Sequence, residues 1–246
     1  MEKEYINEVA WVKVNSFLQG CNKVYVVDAK NFLEAVFWIS RTGAQWRELP
    51  KEYGNWNTIF KRYNEWSKKE IFADLLAFCA QDPDLEYVSI DATIVRAHAC
   101  SAGYGNQSVE GLGRSKGGFS CKIHAKVDAL GNPLKFIITP GQTNDVTQAE
   151  ALLMGAPGEY VLGDKGYDSK DVRNTIKLAG GEPVIPSRSN AKNPCEYDKD
   201  IYKERHVVEC YFSKMKYFRR VFSRYDKTAR NFLSFLCFVG AIIWLR

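Results

Sequence analysis

The sequence has little of what zinc, disulfide and nucleotide sites require. It contains three histidines, and its seven cysteines are odd in number and widely spaced, without a Cys-x-x-Cys pair. This spacing matches neither a zinc site nor a disulfide framework, so we expect reduced thiols of a cytosolic protein. Neither Gly-x-Gly-x-x-Gly nor the phosphate-loop pattern occurs in the Gly- and Ser-rich stretch 99–118. We therefore interpret this stretch as a loop and exclude nucleotide binding there.

Long apolar runs are also absent. The N-terminal residues 1–13 lack the basic-then-apolar pattern of a signal peptide. The apolar tail 232–245 is about 14 residues long, below the roughly 20 that a membrane-spanning helix needs. We therefore expect no membrane association and interpret the tail as a buried core helix.

The positive charge is concentrated in one segment. The chain of 246 residues has a net charge of +5. Between Lys203 and Arg230, nine Lys and Arg residues stand against three acids, and six Phe and Tyr residues from Tyr211 to Tyr225 lie among them. A basic and aromatic segment of this kind is typical of a surface that binds a polyanion. A solvated basic helix face is the alternative, and charge by itself does not separate the two.

Helical periodicity dominates the first 80 residues. We interpret Asn31 and Asn57 as the N-caps of the second and third helices. A glycine-containing turn followed by a helix with Lys61 and Arg62 is compatible with a helix-turn-helix-like DNA-binding domain, although any small helical bundle shares this pattern. Asp-Pro-Asp at 82–84 marks the boundary, so we predict domains at 1–84 and 85–246. The four predicted helical segments are 9–18, 32–39, 59–66 and 71–78.

After the boundary the pattern changes to strands separated by helices. The order β-β-β-α-β-α-β-α predicts a layered α/β fold with a mixed five-stranded sheet. Asp91 lies in the middle of the first strand, and Asp164 ends a later one. If these strands are neighbours, both acids face a common crevice. Asp145, with Gln148 three residues later, is interpreted as a helix cap. The predicted strands cover 87–95, 119–129, 133–141, 159–164 and 183–187.

The segment 202–216, read as a helix, carries the third acid. At about 100° per residue, Tyr202, Arg205, Glu209 and Lys216 point within roughly 60° of one another. The alternative is a surface helix with an Arg205–Glu209 pair, which contributes only a few tenths of a kcal/mol. Separate from this face lies an apolar stripe made by Val208, Phe212, Met215, Phe218 and Phe222.

Three converging carboxylates without a His or Cys ligand would make an oxygen-only site. Such a site suits Mg²⁺, with Mn²⁺ as a substitute. Two ions about 4 Å apart support in-line attack on a phosphodiester. Asp91, Asp164 and Glu209 are therefore the candidate metal ligands, and the Arg and Lys beside Glu209 suit phosphate contacts.

The spacing Tyr202-x2-Arg205-x3-Glu209-x6-Lys216 resembles the Tyr-Arg-Glu-Lys signature of bacterial insertion-sequence transposases of the DDE type, in the IS-four/IS-five-type branch. SIDATIVRAH around Asp91 and VLGDKGYDS around Asp164 resemble the segments that carry the first two acids of this family. The similarity extends to RTGAQWRELPKEYGNWNTIFKRYNEW and RRVFSRYDK, and so covers nearly the whole chain.

The resemblance implies an RNase H-like catalytic domain after a small all-helical domain. It implies Mg²⁺-dependent cutting and rejoining of double-stranded DNA at transposon ends by a homo-oligomer, in the bacterial cytoplasm at the nucleoid. Asp91, Asp164 and Glu209 would be the catalytic acids. An RNase H-like nuclease without strand transfer and a non-catalytic DNA-binding descendant of a transposase are the alternatives. The expected DNA contacts are Tyr202, Arg205, Lys216, Arg219, Arg220, Lys61 and Arg62.

Overall fold

A mixed β-sheet forms the centre of the fold. The computed structural model describes residues 5–22, 27–115, 117–155 and 158–246. Within that part of the chain, seven strands are hydrogen-bonded into one sheet. Five of them correspond to the predicted strands, and β2 and β7 are short additions. The strands are β1 (Tyr87–Ala97), β2 (Gly113–Ser115), β3 (Gly118–Val127), β4 (Pro133–Pro140), β5 (Tyr160–Leu162), β6 (Glu182–Val184) and β7 (Ser223–Arg224).

The sheet joins an antiparallel half to a parallel half, as the element order predicts. β3 pairs antiparallel with both β1 and β4. The turn between β3 and β4 is held by Asp128, whose carboxylate accepts the N–H of Asn132 at 2.7 Å. On the other side, β1 pairs parallel with β5, and β5 with β6. The end of β5 therefore lies beside Ser89 in the first part of β1, two residues before Asp91.

The four predicted N-terminal helices are present, but two of their caps are not where the sequence suggested. The second helix begins at Ala29, and the side chain of Asn31 instead donates to the carbonyl of Tyr53 at 3.2 Å. The third helix is capped by Asn55, whose side chain accepts the N–H of Asn57 at 2.9 Å. The N-cap of the second helix is Asp28, three residues before the predicted one, and that of the third helix is Asn55, two residues before it. Local residue preference does not fix a helix boundary to this precision. The helices are α1 (Glu8–Gly20), α2 (Ala29–Thr42), α3 (Trp56–Lys68) and α4 (Ile71–Cys79).

In the described part of the chain, six further α-helices follow the first strand. The apolar tail forms α10, in which Phe232, Phe235 and Phe238 are fully buried, so the predicted core helix is confirmed. Each such side chain contributes roughly 1.5–3 kcal/mol by leaving water. Among the described residues, no helix has the length and apolar character to cross a bilayer. The helices are α5 (Ala149–Leu153), α6 (Lys170–Leu178), α7 (Lys199–Tyr202), α8 (His206–Met215), α9 (Arg219–Phe222) and α10 (Ala229–Trp244).

The two faces of the sheet belong to two hydrophobic clusters. The larger cluster joins α1–α4, α8 and α10 to one face, and the smaller one packs α5 and α6 against β1 and β5. The N-terminal helices thus share their core with α10, and the hydroxyl of Tyr63 donates to the carbonyl of Asn231 at 2.6 Å across this contact. The division into domains at 84/85 stays a prediction.

Candidate active site

Asp91 lies in the middle of β1, opposite Ala125 of β3. Its Oδ1 accepts the N–H of Ala92 at 2.8 Å, and its Oδ2 lies 3.2 Å from Nη1 of Arg205. Burial raises the pKa of Asp91, against the lowering effects of the Ala92 N–H and of Arg205, and the negative charge of Asp164 raises it further. A nearby cation would stabilise the charged form of a half-buried carboxylate of this kind.

Asp164 follows β5 and begins the next turn. Its side chain accepts the N–H of Gly166 at 2.8 Å and so caps the short 3-10 helix Lys165–Tyr167. The parallel register pairs Ser89 with Leu162. β5 ends at Leu162, and Asp164 follows two residues later. The charge of Asp164 contributes to the raised pKa of Asp91, so the two acids lie near each other, as expected for neighbouring parallel strands.

Glu209 is linked to Asp91 through Arg205. It stands in the first turn of α8, and its side chain is 59% exposed. The Arg205 guanidinium forms an ion pair with Glu209 through Nη2 and with Asp91 through Nη1. Residues 199–215 run as α7, a 3-10 turn and α8 with right-handed helical backbone at the junctions, so the predicted helix 202–216 holds apart from its 3-10 turn. One guanidinium thus joins two of the three acids.

The predicted cluster of three carboxylates is not assembled as a metal site. Among the described residues, no group of three or more His, Cys, Asp or Glu side chains stands at a spacing that could hold a metal ion. The physical reason is that the Arg205 guanidinium lies between Asp91 and Glu209. The donor set itself fits a hard cation, because the three acids supply only oxygen atoms. The residues therefore suit Mg²⁺ in kind, provided that Arg205 releases a carboxylate.

The predicted DNA contacts on the C-terminal segment divide into exposed and buried residues. Lys216 and Arg219 are exposed, and Tyr202 is half-buried with its ring centroid 6.0 Å from the guanidinium carbon of Arg205. Arg220 is only 7% exposed, and its guanidinium makes two hydrogen bonds to Asp226, at 3.0 and 3.1 Å. The expectation that Arg220 contacts DNA is therefore wrong, because its charge is used inside the protein.

The N-terminal pair of predicted contacts divides in the same way. Lys61 is exposed on α3. Arg62 places its guanidinium carbon 4.5 Å from the ring centroid of Phe32 and donates to the carbonyl of Val27 at 3.0 Å. Of these two residues, Arg62 has contacts within the helical region and Lys61 is exposed to solvent.

Asp145 has a different environment from the one that the sequence suggested. Asn144 is the N-cap residue of the 3-10 helix Asp145–Gln148, and the carboxylate of Asp145 accepts from Nζ of Lys122 at 2.9 Å. Its Oδ1 also lies 3.7 Å from Nδ1 of the buried His124. Burial lowers the pKa of His124 to about 4, so this imidazole is neutral at pH 7. The sequence signal for such a group would be Lys122 and His124 two residues apart on one face of a strand.

Two family models match this chain. Residues 82–244 match a family model described as a transposase DDE domain, and residues 6–76 match one described as a putative transposase of the IS4/5 family. Over 130 residues the chain is 40% identical to a putative transposase for insertion sequence element IS6501 from Brucella ovis, covering 51% of this chain and 98% of that protein. Over 120 residues it is 34% identical to a putative transposase for insertion sequence element IS402 from Burkholderia cepacia, covering 44% of this chain and 54% of that protein.

A solved structure shares the fold. The piggyBac transposase in a synaptic complex with hairpin DNA matches 95% of this chain with a TM-score of 0.51 and 11% sequence identity. The present chain spans 63% of that protein's length, just under two thirds. At this identity the likeness concerns the fold, and it confirms the predicted RNase H-like arrangement of sheet and helices.

Proposed function

The chain belongs to the DDE-domain transposases of insertion sequences, and on this premise we propose that it binds terminal inverted repeats and catalyses metal-dependent strand cleavage and strand transfer. The observation that carries the proposal is the link from Arg205 to Asp91 and Glu209, with Asp164 two residues after the end of β5, the parallel neighbour of β1. Asp91 and Glu209 lie 118 positions apart in the chain, yet one guanidinium joins them. An isolated surface pair on α8 would not involve a strand residue.

Asp91, Asp164 and Glu209 are the residues that would hold the divalent cation, Mg²⁺ or Mn²⁺. When bound, such a cation neutralises the acids and activates the attacking oxygen of water or of a 3′-hydroxyl group. Asp91 and Asp164 have fixed backbones, one within a strand and one in a capped turn. The side chain of Glu209 is exposed on α8 and can therefore adjust its position more easily. The first two acids would therefore set the position of the cation, and Glu209 would complete its ligand set.

Arg205 has the charge and the shape to exchange a carboxylate for a DNA phosphate. Its planar guanidinium already holds two anionic partners in a fork geometry. With a cation held by the acids, Arg205 would release a carboxylate and would donate to a phosphate oxygen instead. Tyr202, whose ring lies 6.0 Å from the guanidinium carbon of Arg205, would stack on a base or position the DNA backbone. In this proposal the basic signature residues bind and orient DNA against the acids.

Lys216 and Arg219 extend this surface along the C-terminal side of α8. Both are exposed, and the two acids nearest in sequence, Glu209 and Asp226, are already engaged with Arg205 and Arg220. The positive charges of Lys216 and Arg219 are therefore available for phosphate contacts. Lys61 on the N-terminal helices is a further proposed contact. A DNA duplex and a homo-oligomer that pairs two DNA ends are the proposed partners.

Lys216→Ala and Arg219→Ala are each expected to weaken DNA binding through the phosphate backbone. Each lost contact should reduce the slope of log K against log salt by about 0.9, with a similar loss on any DNA sequence. The measurement is a titration of labelled end DNA at several salt concentrations between roughly 50 and 200 mM. The control is Lys177→Ala, an exposed lysine in the last turn of α6. A slope equal to that of the wild type for both variants would place the DNA elsewhere.

The proposed activity is tested with DNA from the sequences that flank the open reading frame. Purified protein is incubated with labelled duplex ends, with and without Mg²⁺, and in parallel with ends that already carry a free 3′-hydroxyl group. We expect nicking at the end and joining of the pre-cut strand to target DNA. Cleavage without joining would favour an RNase H-like nuclease. DNA binding without cleavage would favour a non-catalytic descendant.

A further inference from the structure

A buried hydroxyl group lies beside the proposed acids. Tyr167 is fully buried in the smaller core, and its hydroxyl has no hydrogen-bond partner among the described residues. A buried polar group without a partner costs free energy, and such groups are retained where they have a role. A phenol hydroxyl group can donate a hydrogen bond to a carboxylate.

The turn that carries Asp164 is also the turn that carries this tyrosine. Asp164 caps the 3-10 helix that ends at Tyr167, and the N–H of Tyr167 donates to the carbonyl of Asp164 at 3.0 Å. A Cβ on Gly163 would stand 3.4 Å from the Tyr167 ring, so the chain before the acid is packed on the same ring. An interaction that holds the Tyr167 ring in place would therefore also hold the backbone of Asp164 in place.

Asp145 is a carboxylate beside the Tyr167 turn and close to a second unpartnered polar atom. The 3-10 helix Asp145–Gln148 packs against the 3-10 helix of Tyr167. Nδ1 of His124, which is also buried and also lacks a hydrogen-bond partner within the described residues, lies 3.7 Å from Oδ1 of Asp145. Its other ring nitrogen is engaged with Oγ1 of Thr139 at 2.8 Å. At present Asp145 accepts from Lys122, whose side chain is 12% exposed.

We propose that Tyr167 and Asp145 are positioning residues of the transposase site: the Tyr167 hydroxyl donates to Asp145 in the cation-loaded protein and thereby fixes the turn that presents Asp164. This inference rests on the proposed function of the three acids. Asp145 does not touch the reacting groups in this arrangement. It anchors the ring, the ring anchors the turn, and the turn sets the position of the carboxylate.

The test is the affinity for Mn²⁺, measured by titration with electron paramagnetic resonance, together with the thermal unfolding midpoint. Tyr167→Phe removes only the hydroxyl, so we expect an unchanged or higher midpoint and about tenfold weaker Mn²⁺ binding, the scale of lost support for metal ligands. Tyr211→Phe is the matched control, because its hydroxyl is equally buried and unpartnered but lies in the larger core. It should leave Mn²⁺ binding unchanged.

Asp145→Asn and the double variant separate a shared role from two independent ones. If both residues act through one hydrogen bond, the double variant should bind Mn²⁺ about as weakly as the weaker single variant. The inference would be overturned if Tyr167→Phe bound Mn²⁺ within twofold of the wild-type affinity while Asp164→Asn abolished Mn²⁺ uptake. In that case the proposed function would still stand. A wild-type protein without Mn²⁺ uptake, or an Asp164→Asn variant with normal uptake, would overturn both.

Discussion

Replacing Asp91 with asparagine or Glu209 with glutamine is expected to lower the rate of DNA strand cleavage by about 10⁴-fold, the scale on which single members of a catalytic group act. Each change removes one negative charge from the set that would hold the cation while keeping the shape of the side chain. In Asp91→Asn the new amide oxygen can still accept the N–H of Ala92, the bond that Oδ1 makes at 2.8 Å. The strand should therefore keep its conformation, and the loss should concern the chemistry.

The controls separate loss of chemistry from loss of binding. Binding of labelled transposon ends should remain within a fewfold of the wild type, because the acids contribute no attraction to phosphates. Glu204→Gln is the matched substitution, since Glu204 is an exposed glutamate in the turn before α8 with no ion pair to Arg205 among the described contacts. It should cleave normally. Cleavage by Glu209→Gln at the wild-type rate in Mg²⁺ would remove Glu209 from the proposed site.

Replacing Arg220 with alanine is expected to destabilise the protein by about 3–5 kcal/mol, the range for breaking a buried ion pair. Arg220 donates twice to Asp226 and once to the carbonyl of Ala44 at 3.3 Å, and its guanidinium carbon lies 5.6 Å from the ring centroid of Phe235. Asp226 is itself 6% exposed. Without the arginine, a buried carboxylate would have lost its cation and two hydrogen bonds. The measurement is the free energy of unfolding in urea.

The neighbouring arginine is the control for this prediction. Arg219 is exposed, so Arg219→Ala should change the free energy of unfolding by less than about 0.5 kcal/mol while it weakens DNA binding. Replacing Arg220 and Asp226 together with apolar residues should restore part of the lost stability, because no charge is then left unpaired. Equal unfolding free energies for Arg219→Ala and Arg220→Ala would contradict the role that burial assigns to Arg220.

The positions of the strand acids could be predicted from the sequence, because strand periodicity and strand ends are local signals. Asp91 lies within a strand of alternating pattern, and Asp164 comes two residues after a short apolar one. The sequence left open whether these two strands are neighbours, and the structure pairs them in parallel. The apolar tail was predictable for the same reason, since its length and composition alone decide between a core helix and a membrane span.

The environments of Arg220, Asp145 and Arg205 could not be predicted, because they depend on tertiary packing. Arg219 and Arg220 are chemically identical in the sequence, and only the position of Asp226 and the core ring of Phe235 decides which is buried. The sequence around Asp145 is typical of a helix cap, yet its carboxylate accepts a hydrogen bond from Lys122, which lies on a strand distant in sequence. That Arg205 reaches Asp91 as well as Glu209 requires β1 and α8 to be placed side by side.

The most direct measurement of the central claim is diffraction from crystals grown with Mn²⁺, using anomalous scattering to locate the ion. We expect anomalous density in contact with the carboxylates of Asp91 and Asp164, with Glu209 turned towards it and the Arg205 guanidinium released from at least one acid. Density at another place in the protein, with Arg205 still joining Asp91 to Glu209, would contradict the claim that these three acids form the metal site.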